Sequence, residues 1–204
     1  MKKVERKDIV DQASYEQVRE QARRRVIDLK KRRRVALGTQ VSVLFENRDT
    51  VTSQIQEMMR TEHISDEEKI LHEIETYNQI LPEEGEVSAT LFIEITDQDR
   101  IQEEMNRYRR IDSGETLYLQ IGERKIYAKF DTGRSNEEKL SAVHYVRFPL
   151  RELLALKGGF SSFSNYFKKE TVRLALNHPG SSGAAVLSPE LKEELLRDLN
   201  PSSS

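Results

Sequence analysis

The apolar residues of this chain change period, and that change restricts the fold more than any other feature. Up to residue 82, with one interruption at 41–45, they recur three and four apart, as on one face of an α-helix. Tyr15, Val18, Ala22, Val26 and Leu29 carry this first period. From residue 86 they alternate: Val87, Ala89, Leu91, Ile93 and Ile95 mark one face of a β-strand. Several later strands follow each other after short connections, which favours antiparallel pairing. The pattern predicts an α+β fold: a mainly antiparallel sheet of about five to seven strands. An N-terminal helix, an acidic helical hairpin and a C-terminal helix pack on it.

Local signals place the boundaries. Ser14 with Gln17 reads as a capping box opening a helix over 14–33, which ends in a run of five basic residues. Val41, Val43 and Phe45 predict a strand, and Asn47 or Asp49 caps the helix that follows. Ser65 with Glu68 opens a third helix, closed by Pro82. A strand over 86–95, a helix over 98–110 capped by Asp97, and a β-hairpin over 116–130 come next. Residues 131–136 are a polar loop. Residues 142–148 alternate, with Val143, Tyr145 and Arg147 on one face and His144, Val146 and Phe148 on the other. A short helix after Pro149 stops at Gly158 and Gly159. Residues 158–170 match no single element by pattern. Val172, Leu174 and Leu176 read as a strand, 178–183 as a loop, and Pro189 as the start of a last helix. Residues 1–200 are expected to form one domain, with 1–13 a partly flexible arm and 201–204 a disordered tail.

Composition excludes several chemistries. There is no Cys, so thiolate metal sites, disulfides and a Cys nucleophile are absent. No apolar run approaches the roughly 18 residues of a membrane span. The first residues lack the apolar stretch of a signal peptide, so a cytoplasmic protein is expected. Gly-rich phosphate loops, a GxSxG elbow and HExxH are also missing, and the reading leans away from an enzyme. The net charge of −2 conceals a polarity. Residues 1–34 carry 13 Lys/Arg against 6 Asp/Glu, whereas residues 57–104 carry 3 against 15. Such segments are either solvated helix faces or an electrostatic docking surface. The near-neutral total argues against a general nucleic-acid binder.

Four clusters can carry chemistry. At the first strand–helix junction, Asn47, Arg48, Asp49 and Thr50 offer helix N–H groups and a guanidinium to an anion; capping with an Arg48 ion pair is the structural alternative. His144 and His178, with Glu46, form a polar or metal site if the histidine strands pair. No repeated Glu-x-x-His motif marks a di-iron bundle, and neither a metal site nor a cofactor is predicted. The basic run Lys30, Lys31, Arg32, Arg33 and Arg34 suits either a helix C-terminus or an acidic partner, in this chain or in a second copy. Helical spacing puts three of Phe160, Phe163, Tyr166 and Phe167 on one face; Phe160, Phe163 and Phe167 then fill core or form a partner contact.

Several segments together resemble a bacterial family known as domain of unknown function 3501. They are Leu29-Lys-Lys-Arg-Arg-Arg-Val-Ala-Leu-Gly38, Leu44-Phe-Glu-Asn-Arg-Asp-Thr-Val51, Gln54-Ile-Gln-Glu-Met58, Glu137-Glu-Lys-Leu-Ser-Ala-Val-His144 and Asn177-His-Pro179. The resemblance runs from about residue 5 to 199. It implies an accessory role beside rubrerythrin-like and heterodisulfide-reductase-related iron–sulfur proteins. The leading expectation is a non-enzymatic protein that docks on such a partner in a redox or oxidative-stress system. A homodimer is a further possibility. The alternatives are an enzyme or ligand-binding domain with an anion pocket at residues 46–50, and a nucleic-acid-associated regulator using residues 23–34.

Overall fold

A computed structural model describes residues 1–131 and 141–200. Most of the polar loop expected at 131–136 and the tail expected at 201–204 lie outside the described residues. A 3-10 turn (Arg6–Asp8) precedes α1 (Gln12–Arg33), β1 (Arg34–Ala36), β2 (Val41–Phe45), α2 (Arg48–Thr61), α3 (Glu67–Asn78) and β3 (Glu86–Ile93). After a second 3-10 turn (Gln98–Arg100) come α4 (Ile101–Arg107), β4 (Leu117–Ile121), β5 (Arg124–Tyr127), β6 (Lys129–Phe130) and β7 (Val143–Pro149). The chain closes with α5 (Arg151–Leu156), α6 (Phe160–Lys169), β8 (Val172–His178), β9 (Ser181–Val186) and α7 (Pro189–Leu199).

The fold is α+β and its strand pairs are antiparallel, but the strands divide between two sheets. The first has the order β1-β2-β3-β7-β6 and the second β5-β4-β8-β9. The division falls inside the expected hairpin. Leu119 and Ile126 pair across β4 and β5, with Gly122 at φ +59° in the turn. The Ala128 N–H still reaches the Leu117 carbonyl at 2.9 Å. Lys129 and Phe130 then pair with Arg147 and Val146 of β7. A strand that changes sheets makes such a corner.

Alternation builds the main core. Val41, Val43, Leu91 and Phe148 from the first sheet meet Leu119, Leu174 and Leu176 from the second, with Phe163, Phe167 and Leu195 from the helices. A smaller cluster holds Val51, Ile55, Ile70 and Ile74 of α2 and α3, with Val4 and Ile9 of the N-terminal arm. Tyr145, on the opposite face of β7 from Val146 and Phe148, packs against this cluster. The layers are therefore α2–α3, first sheet, main core, second sheet.

Several boundaries differ from the sequence reading. The Asp11 carboxylate, not Ser14, caps α1, accepting from the Ser14 N–H at 2.9 Å. Asp66 rather than Ser65 caps α3. In both cases a carboxylate lies three residues before an unbonded helix N–H and is the stronger acceptor. The basic run is split: α1 stops at Arg33, and Arg34 pairs with Leu44 in β1. Residues 160–169 form α6. Of the loop expected at 178–183 only 179–180 is a turn: His178 ends β8 and Ser181 opens β9, the two paired in register. Gly183 lies so close to the β1–β2 turn that a Cβ would sit 3.0 Å from the Leu37 carbonyl carbon. The small residues of β9 serve this close approach.

Candidate functional site

The strand–helix junction gathers several buried polar side chains, among them Glu46, Thr50 and Thr90. β2 delivers Glu46 to the start of α2, where it is 1% exposed. Its carboxylate accepts from the Thr90 hydroxyl at 2.5 Å, from the Thr50 hydroxyl, and from Gln54 at 3.3 Å. Asn47 and Thr50 form a reciprocal capping box at the helix N-terminus. Arg48 pairs with Asp8 and reaches the Lys3 carbonyl at 3.4 Å, so it ties the N-terminal arm to α2. Asn47, Arg48 and Thr50, expected to bind an anion, are thus engaged by partners in their own chain, and Asp49 is exposed beside them.

Beneath the junction lies Arg33, fully buried at the end of α1. It donates to the Phe45 carbonyl at 2.8 Å and the Glu46 carbonyl at 3.2 Å. It also pairs with Glu194 at 2.9 Å and with Asp198. One guanidinium therefore faces two carboxylates of α7. Burial pushes the Asp198 carboxyl up to about 6 against the pull of Arg33, with Glu194 and Asp49 adding to the rise. Burial also raises the Glu194 carboxyl, but Arg33 and Arg32 outweigh it and hold the group below the usual carboxylate range. A cavity of about 190 Å³ opens beside Asp198, bordered by Lys2, Asn47, Arg48, Asp49 and Arg197. Sequence reasoning missed this clasp. Its signal was present: Glu194 and Asp198 lie four apart on one helix face, and Arg33 continues the inward stripe of Tyr15, Ala22, Val26 and Leu29.

Residues 3–199 match the family described as protein of unknown function (DUF3501). The chain belongs to that family. It is also similar to a crystal structure of a novel protein of unknown function from Burkholderia pseudomallei K96243. The two share 30% sequence identity, with 98% of this chain and 100% of the other covered and a TM-score of 0.84. A comparison with curated proteins found no match.

In this DUF3501 member the histidine site is not assembled. His144 lies in β7 of the first sheet and His178 in β8 of the second, so their strands do not pair. His178 Nδ1 accepts from the Gly180 N–H at 3.0 Å, which makes Nε2 the donor to the Arg109 carbonyl at 3.0 Å. It therefore pins the β8–β9 turn to the end of α4. His144 packs edge-on against Phe130, and burial lowers its pKa. Glu46 is held by the two threonines, away from both. Among the described residues, no group of three or more His, Asp or Glu is placed to hold a metal ion.

The docking candidates also divide. Lys31, Arg32 and Arg34 are exposed and Lys30 is half-buried. Arg32 pairs with Glu194, and Arg34 with Glu94 at 2.8 Å. Arg33 is withdrawn from the surface by its clasp. Phe163 and Phe167 are fully buried because the amphipathic α6 turns them into the main core, and Phe160 stays half-buried at its edge. Neither Arg33 nor these two phenylalanines offers a surface to a partner.

Proposed function

We propose that this chain is a non-enzymatic docking protein that engages a charged protein partner through two surfaces of opposite sign. The observation that carries the reading is the place of α2. It packs against both α1 and α3, and so holds the basic and acidic helices apart. Cross-links are few: Arg19 pairs with Glu57 at 2.9 Å, Arg60 with Glu16, and Arg6 of the arm with Glu67 at 2.8 Å. Arg23 and Arg25 on α1, and Glu68 and Glu75 on α3, are exposed and make no ion pair among the described residues. Charges left uncompensated in this way speed association and select partners more than they hold the fold together.

The family resemblance supplies the partner class, a rubrerythrin-like or iron–sulfur protein in a redox or oxidative-stress system. The test is titration of the purified chain with such a partner by calorimetry at low and high salt. Association should weaken as salt rises, and the Arg23→Glu, Arg25→Glu double variant should bind at least about tenfold less tightly with its melting temperature unchanged. Binding that ignores both salt and charge reversal would overturn the reading.

A further inference from the structure

The second sheet has two unlike faces. Leu117, Leu119, Ile121, Val172, Leu174 and Leu176 point into the main core. The alternate residues point the other way, and the strand register sets them in rows. One row across the sheet runs Tyr127, Tyr118, Ala175, Ala184. The next runs Lys125, Gln120, Arg173, Val186. Lys125, Arg173, Ala184 and Val186 are exposed, and both tyrosines are half-buried. Neither row contains a carboxylate. Because the first sheet and the main core intervene, this face looks away from the acidic helix α3.

We infer that the outer face of β5-β4-β8-β9 is a binding platform for single-stranded nucleic acid. The aromatic row places two half-buried tyrosine rings, set edge to face, at one side and two small residues at the other. Tyr118 and Tyr127 lie with ring centroids 5.5 Å apart and planes at 60°. Bases stack on such rings whatever their sequence; Ala175 is buried between its neighbours, and the exposed Ala184 beyond it adds no bulk where a strand continues across the sheet. The parallel row lies two residues further along each strand, about 6.6 Å away, and places Lys125 and Arg173 where phosphates of the stacked nucleotides run. Lys125 now rests over the Tyr118 ring, its Nζ 4.6 Å from the centroid. Its long stem lets it exchange that contact for a phosphate. Four strands span about 14 Å, room for two or three nucleotides. The platform is independent of the docking surfaces, and it is distinct from the basic residues 23–34, among which no aromatic residue is interleaved.

The test is fluorescence anisotropy of the full chain with labelled 12-nucleotide oligopyrimidine RNA and DNA, and with a 12-base-pair duplex, from low to moderate salt. Saturable single-strand binding is expected, with a log–log salt slope of about −1.4 for two phosphate contacts. Tyr118→Ala and Tyr127→Ala should each weaken it about tenfold. Tyr118→Phe should retain it, and Lys125→Glu with Arg173→Glu should abolish it. Arg23→Glu with Arg25→Glu should leave it unchanged. Circular dichroism of each variant separates lost binding from lost folding, and the Phe variant keeps the ring if the Ala variant misfolds. The platform is overturned by no binding at low salt, by duplex bound as tightly as single strand, or by binding that survives loss of both rings. It is equally overturned if this face proves to join two copies, shown by a dimer that Ala184→Arg dissociates in a chain that ignores oligonucleotides.

Discussion

Arg33 shows how much one side chain holds together. Its guanidinium joins the end of α1, the end of β2 and two turns of α7. Removing it leaves Asp198 and two carbonyls without their partner in a buried site, and leaves Glu194 to Arg32 alone. Arg33→Ala should cost about 3–5 kcal/mol, read as a fall in the urea midpoint. Arg33→Lys should recover only part of that, since an ammonium cannot serve carbonyls and carboxylates in one plane. Asp198 makes the opposite prediction. Its folded pKa of about 6 lies above the unfolded value of 3.8, so the folded state holds the proton more tightly. Its contribution to stability is present below the unfolded value and is lost as pH rises from about 4 through 6. Asp198→Asn removes that loss and leaves one carboxylate to one guanidinium. Relative to the wild type, its melting temperature should rise between pH 4 and pH 7. A constant difference across that range would show that Asp198 does not titrate there.

At the scale of elements, the helices are set by their caps and by which face they bury. The α2 capping box joins Asn47 and Thr50, and Thr50 also reaches Glu46. Asn47→Ala should destabilise by about 1 kcal/mol in chemical denaturation. Loss of much more would mean that the junction, not the helix alone, depends on the cap. α1 is a different case. Across its 22 residues only Tyr15 and Arg33 are buried. It is fastened near its start, where Tyr15 and Arg19 both bind Glu57 at 2.8–2.9 Å, and at its end by the Arg33 clasp. Burial, with Glu57 adding, pushes the Tyr15 hydroxyl up to about 12. The stretch carrying Arg23, Arg24 and Arg25 lies between the two fastenings, which leaves those side chains to solvent.

For the whole molecule, the main core draws on both sheets and on α4 to α7. The sheets are also joined by the chain itself at Ala128. Unfolding by urea should therefore be a single transition, with far-ultraviolet and tyrosine signals sharing one midpoint. Separate midpoints would show that the helical layer of α2 and α3, with its own smaller cluster, unfolds on its own.

The sequence alone determined the elements whose pattern is local. The alternation of 86–95, the capping signals of α2, the faces of β7 and the start of α7 at Pro189 need only neighbours along the chain. The α+β class follows from them, as does the polarity between α1 and α3. The tertiary structure decided whatever depended on partners far away in sequence. Nothing local says that strand 124–130 leaves one sheet for another, because both halves alternate alike. Helical period puts Arg33 on the inward stripe of α1 but does not say what meets it there; only Glu194 and Asp198, some 160 residues on, turn that one of five basic residues into a buried clasp. The same holds for the row of Tyr127, Tyr118, Ala175 and Ala184, which exists only through strand register. Period and capping are short-range physics; sheet partnership and the burial of charge are settled when distant segments meet.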